Sequence, residues 1–454
     1  MIQWEKDALK RVDDVIAAVD RAVRMKTRFA APRSATRGSV LVVPGRSGME
    51  TLGAAKVMHI MRNLSIVCLS ATLCLAAALA QDTPNGPDPI ADGSLATNTS
   101  PVAYVYVSSM VGNSNTSEIV AYAAASNGKL TPITGSPFAD DVGSMAVNGK
   151  YLFGSVSGGI YIDSYLIESD GALRYAASTD VLKSNNGCGS SGPLFLDHTG
   201  ATLYNFDYSG NACSNNTYQS FTVVKSTGKL TFLNDAGDSE ELNGVLSFIG
   251  NNKFAYSSDC YHFGSAIYGF QRTSNGSLTE LNISPAFPTA PSGEGWCPYL
   301  AAADPTNHVA IPMFLSAGMG SQNGPYQLAT YTANNSGSLT TASTASNMPK
   351  VLVGDVNALN MAPSGKLLAV GGVGGLQIFH FNGASPISHY TGLLTTHQVD
   401  QFFWDNDNHL YAIGQAAKKL WVFTVTPTSC IQAPGSPYTI GSPLHIIVQP
   451  LPRY

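Results

Sequence analysis

From residue 102 onward, short runs of apolar and polar positions alternate, and the runs recur. Tyr104-Val-Tyr106-Val and Leu420-Trp-Val-Phe423 carry the two-residue period of half-buried antiparallel strands. One unit is an aromatic-bearing strand, a polar turn with glycine and a second strand. It reads Ile119-Val-Ala-Tyr122 before Ser126-Asn-Gly-Lys-Leu130, and Ile162-Asp-Ser-Tyr165 before Ser169-Asp-Gly-Ala-Leu173. It returns at Tyr218–Phe221, Ile267–Phe270, Leu328–Tyr331, Leu376–Phe379 and Leu420–Phe423, the last before a turn without glycine near Ser429. Between these units lies another, a turn followed by a short strand, as in Asn148-Gly-Lys-Tyr-Leu152 and Pro363-Ser-Gly-Lys-Leu367.

Seven repeats of about four strands, each roughly 40–60 residues long, predict an all-β fold, a seven-bladed β-propeller of four-stranded antiparallel blades. An open ring would leave exposed strand edges. The first segment, Val102–Ser108, resembles a second strand, so its missing inner partner is expected at Pro443–Gln449, closing blade one from the C-terminus. The expected blades are 102–140 with 442–450, then 141–183, 184–238, 239–290, 291–348, 349–396 and 397–441.

Composition agrees. Of 454 residues only 12% are charged, 44% are hydrophobic and 44 are glycine, which excludes a disordered chain and disfavours a helical bundle. Residues 81–454 carry thirteen Lys/Arg against twenty-four Asp/Glu, a formal net charge of −11. An acidic body without a basic stripe is a poor partner for nucleic acid.

Ahead of the repeats, Met61-Arg62-Asn63 precedes seventeen uncharged residues, Leu64–Ala80, ending Ala78-Leu79-Ala80. A basic start, an apolar core and an A-x-A site predict a signal peptide over 61–80 and cleavage before Gln81, hence export to the periplasm, cell surface or medium with no membrane span in the mature chain. Residues 1–60 form an N-terminal extension. It reads either as a cytoplasmic segment or as a translation start assigned upstream of Met58 or Met61. Residues 81–101 read as a linker.

Tyr104-Val-Tyr106-Val-Ser-Ser, Ile119-Val-Ala-Tyr122 and Gly128-Lys-Leu-Thr-Pro-Ile-Thr-Gly-Ser-Pro137 resemble the lactonase-like, YVTN-type seven-bladed propellers, whose best-known enzymes are 6-phosphogluconolactonases. The resemblance covers residues 102–450 and implies a lactone hydrolase as one function. The matched positions are turn glycines and core aromatics, which speak for fold. His-rich inner-strand motifs of those enzymes have no counterpart in Gly192–Asp197, Tyr299–Asp304 or Asn357–Pro363, and the chain from residue 102 onward holds only Arg174, Arg272 and Arg453.

The exported part holds five cysteines. Cys188, Cys213, Cys260 and Cys297 all fall at the rim where second strands end and new blades begin, which predicts Cys188–Cys213 and Cys260–Cys297 disulfides. Cys430 stays free, and the alternative is five free thiols. No close pair of Cys or His marks a metal site, and no cofactor is expected. Asp405-Asn-Asp-Asn-His409 begins like a calcium loop but lacks its glycine and distal glutamate. The second disulfide would draw His262 towards Glu294, a candidate acid–base pair for lactone hydrolysis; otherwise both are ordinary rim residues. Asp141, Glu240, Glu241, Asp355, Asp400 and Gln401 stand at inner-strand entrances as candidate channel-mouth binding residues. The expected function is an exported, monomeric binding or scaffold propeller acting through its top-face loops on a protein or a neutral or cationic ligand. The alternative is a hydrolase of an uncharged sugar lactone.

Overall fold

The computed structural model describes residues 100–112, 116–156, 159–182, 191–207, 216–239, 242, 244–261, 264–317 and 321–452. The extension, the signal segment, Cys188, Cys213, Glu240, Glu241 and His262 lie outside them. Among the described residues there is no helix; the strands form seven antiparallel sheets, one per blade. Blade one orders its strands Leu130–Pro132, Ser117–Ala124, Ala103–Met110 and Ser442–Pro450, so the C-terminal strand is the innermost. Its pairing with Ala103–Met110 runs from Ala103 opposite Pro450 to Met110 opposite Ser442. The two ends of the repeat region thus close the ring by a full ladder, as the repeats predict.

The recurring glycine turns pack blade against blade. Gly171 has φ +85°, and a Cβ there would sit 2.6 Å from the Tyr104 ring of the preceding blade. Gly228 has φ +73° and the same relation to Tyr151, at 2.8 Å. A left-handed backbone and a close approach both require glycine. The turn carbonyls are held as well: the Tyr106, Tyr204 and Tyr256 hydroxyls donate to the Gly171, Gly276 and Gly337 carbonyls at 2.9, 2.8 and 2.8 Å. Where the second strand carries Phe153 or Ala310 instead, a hydroxyl on the third strand substitutes. Ser164 donates to the Gly228 carbonyl (2.9 Å) and Thr330 to that of Gly383 (2.7 Å). Blade seven's turn has no glycine, and Tyr390 donates to the Thr426 carbonyl (2.6 Å).

In blades three, five and seven the turn between first and second strands is pinned by a buried carboxylate. Asp405 accepts from the amides of Asp407 and His409, from His409 Nδ1 (2.7 Å) and from the Tyr411 hydroxyl (2.8 Å). The run that begins like a calcium loop is therefore a self-satisfied turn. Asp304 binds Thr306 and His308 likewise, and Asp197 pairs with Arg272 of the next blade.

Candidate functional site

The innermost strand of every blade is a sheet edge whose amides on one side have no strand partner. Around the central channel, neighbouring blades supply the missing acceptors. Gln401 Oε1 of blade seven accepts from the Ile446 amide of blade one at 2.7 Å. His445 Nδ1 of blade one accepts from the Met145 amide of blade two at 3.3 Å, and Gln449 Oε1 from Gly149 at 2.8 Å. Ser144 Oγ of blade two accepts from Leu194 of blade three at 3.1 Å; Ser247 Oγ of blade four accepts from Ala303 of blade five at 2.8 Å. Most of the polar side chains on the channel wall thus also stitch the ring together.

The channel encloses about 810 Å³ and is lined by inner strands of all seven blades. Apolar side chains such as Met145, Leu194, Leu246, Leu300 and Leu359 share its wall with polar ones, Asn357, Asn360 and Gln449 among them. Among the described residues no Lys or Arg lines it. His445 is the one lining residue with ionisable chemistry near neutrality whose equilibrium is clearly displaced: burial pulls its pKa from 6.5 down to about 3. Its Nδ1 accepts a backbone N–H, so the neutral ring carries its proton on Nε2, which faces Ser144 Oγ at 3.4 Å. In that tautomer Nε2 cannot take a proton from Ser144, so the two are not arranged as nucleophile and base.

The sequence candidates divide. Asp400 and Gln401 line the channel, but the Asp400 carboxylate already accepts from Gln398 Nε2 (2.6 Å) and the Gln415 amide (2.7 Å). Asp141 accepts from the amide and hydroxyl of Ser117 at 2.8 and 3.0 Å, fastening blade two to blade one. Asp355 is exposed and lies outside the channel lining. Glu294 precedes the strand Gly295–Pro298 of blade five and accepts from Asn323 Nδ2 across the same blade. The Cys260–Cys297 disulfide is formed, tying blade four to blade five, and Cys430 is free.

His445 and Ser144 are the residues that sequence reasoning passes over. Inner strands share no motif, and Pro443–Gln449 reads only as a closing strand. The available signal is a lone histidine in a strand that must face the channel on one side. Among the described residues no group of three or more His, Cys, Asp or Glu could hold a metal ion, and no helix is long and apolar enough to cross a membrane.

No protein-family model matches the sequence, and no curated protein matches it. Among solved structures, the fold is similar to a candidate 6-phosphogluconolactonase from Bacteroides fragilis, at 13% identity and TM-score 0.57, over 80% of this chain and 99% of that one. It is similar to the periplasmic gluconolactonase of Pseudomonas aeruginosa, at 16% identity and TM-score 0.53, over 77% of this chain and 99% of that one. A Lactobacillus plantarum protein aligns at 12% identity and TM-score 0.51, again over 77% and 99%. At these identities the likeness is one of architecture: this chain is a seven-bladed β-propeller.

Proposed function

We propose that this protein is an exported binding propeller whose central channel takes an uncharged ligand such as a neutral sugar or its lactone. The observation that carries this reading is the lining: about 810 Å³ walled by apolar side chains, neutral polar groups and the carboxylates Asp197 and Asp400, each already engaged by protein partners, with no Lys or Arg among the described residues. A phosphorylated or carboxylated ligand would call for a guanidinium or ammonium partner on this wall. Neutral amides, hydroxyls and an uncharged imidazole suit hydroxyl-rich ligands. The Cys260–Cys297 disulfide supports export, since such bonds persist in oxidising compartments.

The test is calorimetric titration of the purified protein with D-glucono-1,5-lactone, glucose and their 6-phosphates. The reading expects a neutral compound to bind at least tenfold more tightly than its phosphate. Tighter binding of the phosphate would overturn it. Lactone hydrolysis is the second reading, favoured by the fold shared with a protein named as a periplasmic gluconolactonase. On that reading His262 and Glu294, beside Cys260 and Cys297 in the chain, form the acid–base pair. His262→Ala or Glu294→Gln would then lower turnover about a hundredfold. Unchanged turnover in both variants would place the chemistry elsewhere.

A further inference from the structure

The first residue of the recurring third-strand motif occupies the same place in all seven blades. It is Ile119, Ile162, Tyr218, Ile267, Leu328, Leu376 or Leu420. In six blades its main chain is paired on the outer side. Ile119 exchanges two bonds of 2.9 Å with Phe138, which returns to the sheet after the Gly-Ser-Pro kink. Ile162 lies opposite Thr179 and Tyr218 opposite Ala236 on long outer strands. The Leu328 amide donates to the Pro349 carbonyl, the Leu376 amide donates to Thr395, and Leu420 faces Tyr438.

Blade four differs. Its outer strand pairs Leu278 to Leu281 with Arg272 to Gly269 and then stops. The Ile283 amide turns back to the Leu281 carbonyl instead of continuing the ladder. Thr273 bonds Ser277 across the turn, so outward-pointing residues alternate as Gln271, Gly269 and Ile267. Arg272 bonds inward to Lys253, which agrees with that alternation. Among the described residues no strand pairs with Ala266 and Ile267 on the outer side. A groove of about 550 Å³ opens there, walled by Ile283, Pro285 and Phe287.

We infer that blade four accepts an extended peptide segment of a partner protein as its missing outer strand. The Ile267 N–H and C=O would exchange main-chain hydrogen bonds with it, as Ile119 does with Phe138. Alternate apolar side chains of the peptide would rest on Ile283 and Phe287. Among the described residues the groove's only charged lining residue is Glu280, so the strand that fits is neutral or basic rather than acidic. This site lies on the outer flank and is independent of any ligand in the channel.

The test uses the full chain and a capped, uncharged hexapeptide, acetyl-Thr-Val-Thr-Val-Thr-Val-amide, with a second copy N-methylated at alternate peptide bonds. Amide exchange is followed by NMR or mass spectrometry. The expected result is at least tenfold slower exchange at Ile267 with the plain peptide, no change at Ile119 or Leu328, and at least tenfold weaker binding of the methylated copy. Equal binding of both peptides would show that main-chain pairing is not involved, and unchanged exchange at Ile267 under millimolar peptide would show that the edge takes no strand. Either result overturns the inference.

Discussion

Blade one and blade four are built from the same repeat and meet opposite fates at their edges. Blade one joins strands more than 300 residues apart, yet its two middle strands are flanked on both sides: Ser442–Pro450 pairs with Ala103–Met110 from the inside, and Phe138 returns to Ile119 on the outside. Blade four uses strictly local strands, but its inner strand is Ser247–Phe248 and its outer one Leu278–Leu281. It is held instead by the Cys260–Cys297 disulfide and by Ser247 accepting from Ala303. The contrast shows that ladder length, rather than sequence separation, decides which blade is self-sufficient. A completed ladder contributes stability, and an incomplete one leaves main-chain groups available for a partner.

The largest effect should come from blade one. Deleting residues from Ser442 onward removes the inner strand and bares Ala103–Met110 and the neighbouring inner strands. The shortened protein should aggregate or lose its cooperative melting transition. Retention of the native melting temperature would mean that the ring does not depend on this ladder.

Blade four should respond to its staple. Cys297→Ser opens a loop of 37 residues, which by loop-closure entropy costs about 3–4 kcal/mol. Chemical denaturation should show that loss. A loss below about 1 kcal/mol would mean that the short ladders of blade four hold by themselves.

Acid separates the two blades further. His445 has a pKa of about 3 when folded against 6.5 when free, so the unfolded chain binds the additional proton. Stability should therefore fall as pH drops below about 6.5, by about 2 kcal/mol at pH 4.5 after allowance for partial exposure. His445→Gln keeps an acceptor for the Met145 amide and does not titrate. Its stability difference from the native protein should shrink, or change sign, between pH 7 and 4.5. A difference independent of pH would show that His445 charges freely in the folded state. The smallest effect is expected for Ser247→Ala, which orphans the Ala303 amide in blade five and should cost about 1 kcal/mol in urea denaturation.

Much of the fold is legible because its determinants are local. Turn glycines such as Gly171 and Gly228 are demanded by positive φ and close packing, so they recur visibly, and the closing strand follows from a repeat that begins one strand late. The channel is less legible. His445, Gln401 and Ser144 answer to the amides of the next blade, a relation between strands far apart in the chain, so no spacing exposes them. Asp141 and Asp400 stand at inner-strand entrances as their positions suggest, but each is engaged by nearby amides and polar side chains that the sequence does not place. The open edge of blade four does have a signal, Pro285, Pro288 and Pro291 following Leu281. Prolines cannot donate to a ladder, and the alternating pattern ends where they begin.

The measurement that bears most directly on this comparison is native amide exchange of the unliganded protein at the two equivalent residues, Ile119 and Ile267. Both are buried, and both precede the same aromatic motif. The account predicts that Ile119, bonded to Phe138, exchanges only with global opening, whereas Ile267 exchanges at least a hundredfold faster while the Arg272 amide at the end of the same strand stays protected. Equal protection of Ile119 and Ile267 would contradict it, because the outer edge of blade four would then already be filled.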